Sequence, residues 1–217
     1  MKKMIFIFVL CLSFGMLSAQ PNVELKNAGN EALKVKDYAK ALENYEKAIA
    51  AWGTDSLDYA MIYNTAYCAV QLKDYEKAIK YFDQSITGNY KPEDAIFNKA
   101  FIYKGQKNTE EYLKVLNDGI VKYPEDAKLK GELAKYYLIE GNTRYNNGAT
   151  ILKGAVGKIT SKKYKDTNDP AYKAEIEKSK EEFKAAIPSL DKSLELNPAN
   201  ANAKAIKAAC EKQIKTL

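Results

Sequence analysis

Lys36-Asp37-Tyr38-Ala39-Lys40-Ala41-Leu42 returns 37 residues later as Lys73-Asp74-Tyr75-Glu76-Lys77-Ala78-Ile79. The likeness runs on, from Glu43-Asn44-Tyr45-Glu46-Lys47-Ala48-Ile49 to Lys80-Tyr81-Phe82-Asp83-Gln84-Ser85-Ile86. Six of these fourteen positions are identical (Lys, Asp, Tyr, Lys, Ala, Ile), and the apolar ones recur at helical spacing. A fixed period of this kind marks a repeat architecture, in which each unit buries its apolar face against the next.

Working outward, a third copy keeps the frame. Ala100 and Tyr112 stand twelve apart, as do Gly29 and Ala41, and Ala66 and Ala78. Leu116 follows Tyr112 by four, as Tyr45 follows Ala41 and Phe82 follows Ala78, and Pro124 closes the unit. From Ala78 to Tyr112 is 34 residues. In this period and pattern the chain resembles the tetratricopeptide-repeat family. The resemblance implies an all-α fold, an α-solenoid of antiparallel helix pairs wound as a right-handed superhelix. Gly29, Ala66 and Ala100 would let paired helices approach, and Tyr45, Phe82 and Leu116 would fill the space between them. Asp37 and Asp74 are placed to cap the second helix of each pair.

Beyond Pro124 the pattern loosens. Asp126 to Glu140 reads as a first helix, broken at Gly141-Asn142, with another helix from about Thr143 to Val156. Residues 158–169 read as a mobile polar loop. Ala171 to Leu196 reads as one long helix, or two with a kink near Pro188, and 199–217 as a capping helix. The expected organisation is a leader at 1–19 and a repeat array at 20–198. Its units lie at about 22–55, 59–92, 93–126, 127–157 and 170–198, and the cap follows at 199–217.

The leader rests on its own order. Lys2 and Lys3 precede the apolar run Ile5 to Leu12, and Ser18-Ala19 supplies small residues before Gln20, which is the layout of a secretory signal peptide. The run is short for a membrane span. Cleavage after Ala19 would leave 198 of the 217 residues, lower the net charge from +6 to +4, and leave no further long apolar run, hence no stable membrane span. The expected location is therefore periplasmic or secreted. Of the three cysteines, Cys11 leaves with the leader. Cys68 and Cys210, far apart in a linear array, read as two small buried hydrophobes.

Composition excludes several classes of function. The chain has no histidine, the commonest general base and metal ligand, no Gly-rich phosphate loop and no nucleophile elbow. Its acids stand at helical spacing beside lysines, as on a solvated face. It is therefore read as no enzyme, with no cofactor and no metal site. Arg144 is the only arginine, and 34 basic residues are mixed with 28 acidic ones, so a nucleic-acid partner is disfavoured. A carbohydrate binder would need exposed flat aromatics, and Trp52 is the only tryptophan.

Binding follows from the resemblance, in which the first helix of each pair lines a concave groove. This places Lys26, Asn30 and Leu33 there from the first unit, Tyr63, Asn64, Tyr67 and Val70 from the second, and Asp94, Phe97, Asn98 and Phe101 from the third. The binding residues proposed on this basis are Lys26, Asn30, Tyr63, Asn64, Tyr67, Phe97, Asn98 and Phe101. Tyr63/Tyr67 and Phe97/Phe101 are each four apart and so share a helical face. The aromatics either anchor a peptide or pack against neighbouring repeats. Lys26, Asn30 and Asn64 resemble part of the clamp with which some relatives hold a chaperone's C-terminal carboxylate, but Asp94 and Asn98 stand where the remaining cations belong. The expected function is an exported adaptor that docks a protein or peptide partner in its groove. The alternative is a periplasmic assembly or stress chaperone with many weak clients.

Overall fold

Seven short polar side chains set where the helices begin. Asp37, Asp58, Asp74, Asn108, Asp126, Asp169 and Asn200 each accept a hydrogen bond from a backbone N–H of the first turn that follows, at 2.7–3.2 Å. Each satisfies a donor that a helix start would otherwise leave bare. The computed structural model describes residues 21–53 and 57–217, so the leader expected at 1–19 lies outside the described residues. Among the described residues there are nine α-helices and no strand. The chain divides into two compact units, one ending at Tyr90 and the other beginning at Lys91.

The first unit holds α1 (Pro21–Lys34), α2 (Tyr38–Trp52), α3 (Tyr59–Gln71) and α4 (Tyr75–Thr87), paired as two helical hairpins. The small-on-large packing read in the sequence is present. A Cβ on Gly29 would lie 2.6 Å from the Tyr45 ring, and Ala66, Ala78 and Phe82 are wholly buried. The hairpins are tied by Glu46 of α2, which accepts from Lys77 Nζ at 3.0 Å and Tyr81 OH at 3.1 Å on α4.

The turns reuse one device. At the end of α1, Lys36 takes φ 60°, and the N–H of Asp37 donates back to the carbonyl of Ala32 at 2.9 Å. Lys73 (φ 61°) with Asp74, and Lys107 (φ 59°) with Asn108, do the same. These are left-handed helix stops of Schellman type, and in each the next residue also caps the following helix. A lysine is a costly choice for this conformation. Lys73→Gly is expected to raise stability by about 0.5 kcal/mol, the conformational gain exceeding the added freedom of the unfolded chain, measurable by urea titration.

The second unit holds α5 (Pro92–Gly105), α6 (Thr109–Lys122), α7 (Ala127–Thr160), α8 (Pro170–Leu196) and α9 (Ala201–Thr216). The helices α5 and α6 form a hairpin of ordinary size, closed where a Cβ on Gly119 would meet Ile96 at 2.7 Å. The helices α7 and α8 form a much longer one, of 34 and 27 residues. Along it, α9 packs over a core of Phe183, Ala186, Leu190, Ala203 and Cys210.

Here the sequence reading needs correction. There is no break at Gly141-Asn142 and no separate helix from Thr143; α7 runs through both. Gly141 is a packing glycine, since a Cβ there would lie 2.6 Å from Leu190 Cγ. Close approach of α8 outweighs the roughly 1 kcal/mol that glycine costs a helix. Of the two readings of the segment from Ala171 to Leu196, the single long helix is the one present, with Pro188 inside α8. Lys158, Ile159 and Thr160 belong to α7, so the loop is 161–169. It is pinned rather than bare: Lys163 N donates to Lys158 O at 2.8 Å, Lys165 N to Asp169 Oδ2 at 3.2 Å, and Lys158 pairs with Glu175 across the hairpin. Cys68 and Cys210 are buried and unbridged.

Candidate functional site

The residues named from the sequence fall into two groups, one in each unit. In the first unit, Asn30 and Asn64 converge on the Tyr45 hydroxyl, which donates to Asn30 Oδ1 at 2.8 Å and hydrogen-bonds the Asn64 side chain. Burial, with a smaller contribution from nearby Cys68, pushes the Tyr45 phenol up to about 12. These amides thus hold a buried hydroxyl in place. Lys26 pairs with Asp58, the residue that caps α3, and lies 6.0 Å from the Trp52 ring. Burial would raise the Asp58 carboxyl, but Lys26 and the Met61 N–H hold it below the usual carboxylate range. The three residues that resemble a carboxylate clamp are therefore bonded within the unit.

The aromatics divide by exposure. Tyr63 is half-buried, with its ring edge-on to Phe82 at 5.6 Å and to Tyr90 at 6.0 Å, so it packs the hairpin. Tyr67, 40% exposed, stands edge-on to Tyr38 at 6.0 Å, and the hydrogen bond between their hydroxyls, with some burial, raises its phenol. In the second unit Phe97 and Phe101 stack on one face of α5 with centroids 4.7 Å apart, and Phe101 is 45% exposed. Lys128 Nζ of α7 lies 4.3 Å from the Phe97 centroid, and Lys104 Nζ lies 5.1 Å from that of Phe101. Asp94, which looked repulsive towards an anionic ligand, bonds Lys128 at 2.6 Å. Asn98 is half-buried on the same helix.

Lys104 leads to a site that pattern reading did not find. Its Nζ also lies 5.5 Å from the Tyr112 ring, and it pairs with Glu132 of α7, a carboxylate only 9% exposed that accepts from Tyr112 OH at 2.9 Å. Beside this cluster opens a cavity of about 520 Å³. It is walled by Tyr112 and Thr109 of α6 and by Tyr136, Ile139, Glu140, Thr143, Arg144 and Asn147 of α7. Its α7 residues stand at 136, 139/140, 143/144 and 147, the spacing of one helical face. That spacing was legible, but it straddles the supposed break at Gly141-Asn142, and a break there hides the face. Among the described residues no group of three His, Cys, Asp or Glu side chains is arranged to hold a metal ion, and no helix is long and apolar enough to cross a membrane.

Capped helix pairs closed by small residues under large ones, with aromatics left partly exposed on a first helix, define a helical-repeat protein. Comparison with known proteins agrees. The tetratricopeptide-repeat family model matches residues 26–93, and a second model of the same repeat matches 173–200. A TPR repeats protein from Bacteroides fragilis is 28% identical, with 89% of this chain and 99% of that one covered at a TM-score of 0.57. A tetratricopeptide repeat protein from Parabacteroides merdae (18% identity, 91% of this chain and 61% of that one, TM-score 0.50) is similar in fold. So is MamA (12%, 90% and 89%, 0.50). No curated protein sequence matches the chain. These matches, at 26–93 and 173–200, and the shared fold support a protein built on tetratricopeptide repeats. Proteins of this repeat are typically non-enzymatic scaffolds, and the fold points to protein partners.

Proposed function

We propose that this chain is an exported scaffold that docks a protein or peptide partner on first-helix faces of its hairpins, with Phe97 and Phe101 as the main contact in the second unit. The observation that carries this reading is Phe101, a large ring 45% exposed on a helix that buries Ala95, Ile96, Ala100 and Ile102. A stacked, partly exposed aromatic pair is a low-entropy anchor of the kind that dominates interfaces. Lys104 and Lys128 lie over the two rings and are paired with Glu132 and Asp94, so polar groups frame the apolar pair. Export is supported by the order of Lys2-Lys3, the run Ile5 to Leu12, and Ser18-Ala19.

The test is crosslinking and recovery of tagged protein from cells, with mass analysis of its N-terminus. The expected result is one or two stoichiometric partners and a chain beginning at Gln20. Phe101→Ala should reduce capture roughly tenfold, the effect of losing an interface anchor, with helicity and melting temperature unchanged. Recovery of no protein partner, or equal capture by the variant, overturns the docking reading. A broad set of weakly held clients would make the chain a chaperone instead, and an N-terminus still at Met1 would remove cleaved export.

A further inference from the structure

The fourth hairpin departs from the frame by a definite amount. The small residue of the first helix and the closing small or aromatic residue of the second are twelve apart in the first three units. In the fourth, Ala134 and Ala186 are 52 apart, an excess of forty. Both helices share that excess: α1 to α6 have 13–15 residues each, whereas α7 has 34 and α8 has 27. The fourth turn has in effect been drawn out into a two-helix arm. One consequence lies at its base. The helix α5 stops at Gly105 and α6 starts at Thr109, while beside them α7 continues through the position where its own turn would have come. The step between a finished hairpin and an unfinished helix is the 520 Å³ cavity.

Its chemistry is specific. The apolar side is formed by the rings of Tyr112 and Tyr136 and by Ile139, which is 54% exposed despite its size. One turn further along the same face stands Arg144, the only arginine in the chain. Its Nη1 makes a single long contact with Glu182 at 3.4 Å, which leaves the rest of the guanidinium fork open. Asn147 lies one turn beyond. Glu140 is four residues before Arg144, and its Oε2 accepts from Ser189 at 3.0 Å while Oε1 remains an acceptor. The other cation at the cavity, Lys104, is engaged by Glu132. An apolar wall, an acceptor and a planar two-pronged cation therefore follow one another along α7.

We propose that this cavity binds the free C-terminal residue of an extended peptide whose last side chain is aliphatic or aromatic. The terminal carboxylate pairs with the Arg144 fork and the Asn147 amide, the last peptide N–H donates to Glu140, and the side chain lies on Ile139 between the two tyrosines. Arginine suits this role because its donors match both oxygens of a carboxylate at once. The cavity has the size and composition of a small-ligand site, mostly apolar with a few converging polar groups. Lys104 connects it to the proposed docking surface, since its ammonium sits over both Phe101 and Tyr112. The assignment rests on the reading that the partner is a protein, and its test does not use that partner.

The experiment uses the full chain with labelled isoleucine methyl groups, titrated with acetyl-Gly-Ser-Ala-Leu-Leu bearing a free C-terminus, with the same peptide amidated, and with free leucine. The acid peptide is expected to shift the Ile139 methyl and to bind at least fivefold more tightly than the amide. Arg144→Gln is expected to erase that preference, and Ile139→Asp to abolish binding of both peptides. Circular dichroism should be unchanged in both variants, because each residue is about half exposed. No shift of Ile139, equal affinity for acid and amide, an acid preference that survives Arg144→Gln, or binding of free leucine alone would each overturn the proposal. Failure here with an intact Phe101 effect removes the cavity and leaves the docking surface; the converse removes the surface alone.

Discussion

Gly141→Val is expected to cost about 3 kcal/mol, at the upper end for a group forced into a packed core, and to lower the melting temperature by roughly 6–12 °C for a chain of this size. A Cβ at this position would lie 2.6 Å from Leu190 Cγ, 2.8 Å from Leu190 Cδ2 and 3.2 Å from the Ala186 carbonyl oxygen. Leu190 is wholly buried and belongs to the core that α9 covers, so it has nowhere to retreat. The backbone oxygen of Ala186 could yield only by moving α8. Gly154→Ala is the paired experiment. Gly154 also lies within α7, but a Cβ there would meet nothing within 4 Å, so the better helix former should add about 1 kcal/mol. Opposite signs from two glycines of one helix separate packing from propensity. If Gly141→Val were neutral, a broken helix at Gly141 would be the better description of the segment.

Raising the pH from 9 to 12 is expected to unfold the protein steeply. Burial pushes the Cys68 and Cys210 thiols up from 9.0 to about 11, and the Tyr45 and Tyr81 phenols up from 10.0 to about 12. Burial, aided by the neighbouring Glu132 carboxylate, raises Tyr112 as well. All five are neutral acids that keep their proton longer in the folded chain than in the unfolded one. The folded state thus binds more protons above pH 9, and stability falls as pH rises. Below pH 9 both states are protonated and the stabilisation is complete. It is lost first through the thiols, between about 9 and 11, and then through the phenols, between about 10 and 12. A shift of two units is worth about 3 kcal/mol per group, so even part of the set approaches the whole stability of an ordinary domain. Urea titrations at a series of pH values measure the slope. The double variant Cys68→Ala, Cys210→Ala should flatten its first part, and a stability independent of pH up to 11 would contradict the burial of these groups.

The three short hairpins were legible because they obey one local rule each time. Asp37 or Asp74 before Tyr opens a helix, and Gly29 or Ala66 stands twelve residues before Ala41 or Ala78, with the filling ring, Tyr45 or Phe82, four residues past that alanine. All of these are short-range relations within one hairpin, which a sequence displays directly. The fourth hairpin was not legible in the same way, because Gly141 obeys a distant partner. Whether a helix stops at a glycine or runs through it depends on what approaches from outside, here Leu190 on another helix. The error carried over to the site, since Ile139, Glu140, Thr143 and Arg144 form one face only if α7 is continuous. Among the groove residues, exposure was the missing information. The same four-residue spacing describes Tyr63/Tyr67 and Phe97/Phe101, yet Tyr63 is locked between Phe82 and Tyr90 while Phe101 meets solvent.

On loop entropy, the drawn-out fourth hairpin is expected to close later than the others. In the first hairpin the bond from Tyr45 to Asn30 joins residues only 15 apart. In the fourth, Ser179 reaches the Gly148 carbonyl over 31 residues, and Ser193 reaches that of Ala134 over 59. Each doubling of a closed loop costs about 0.6 kcal/mol of chain entropy, so the short hairpins close first and the base of the long one closes last. Its nearest long contact is at the far tip, where Lys158 meets Glu175 across 17 residues and Asp169 starts α8. From there the two strands of helix zip inward, each turn shortening the loop that remains. The Ile139–Arg144 face is then expected among the later surfaces to form, and Glu175→Ala at the tip, which removes the Lys158 pair, should slow refolding in stopped-flow without altering a residue of that face.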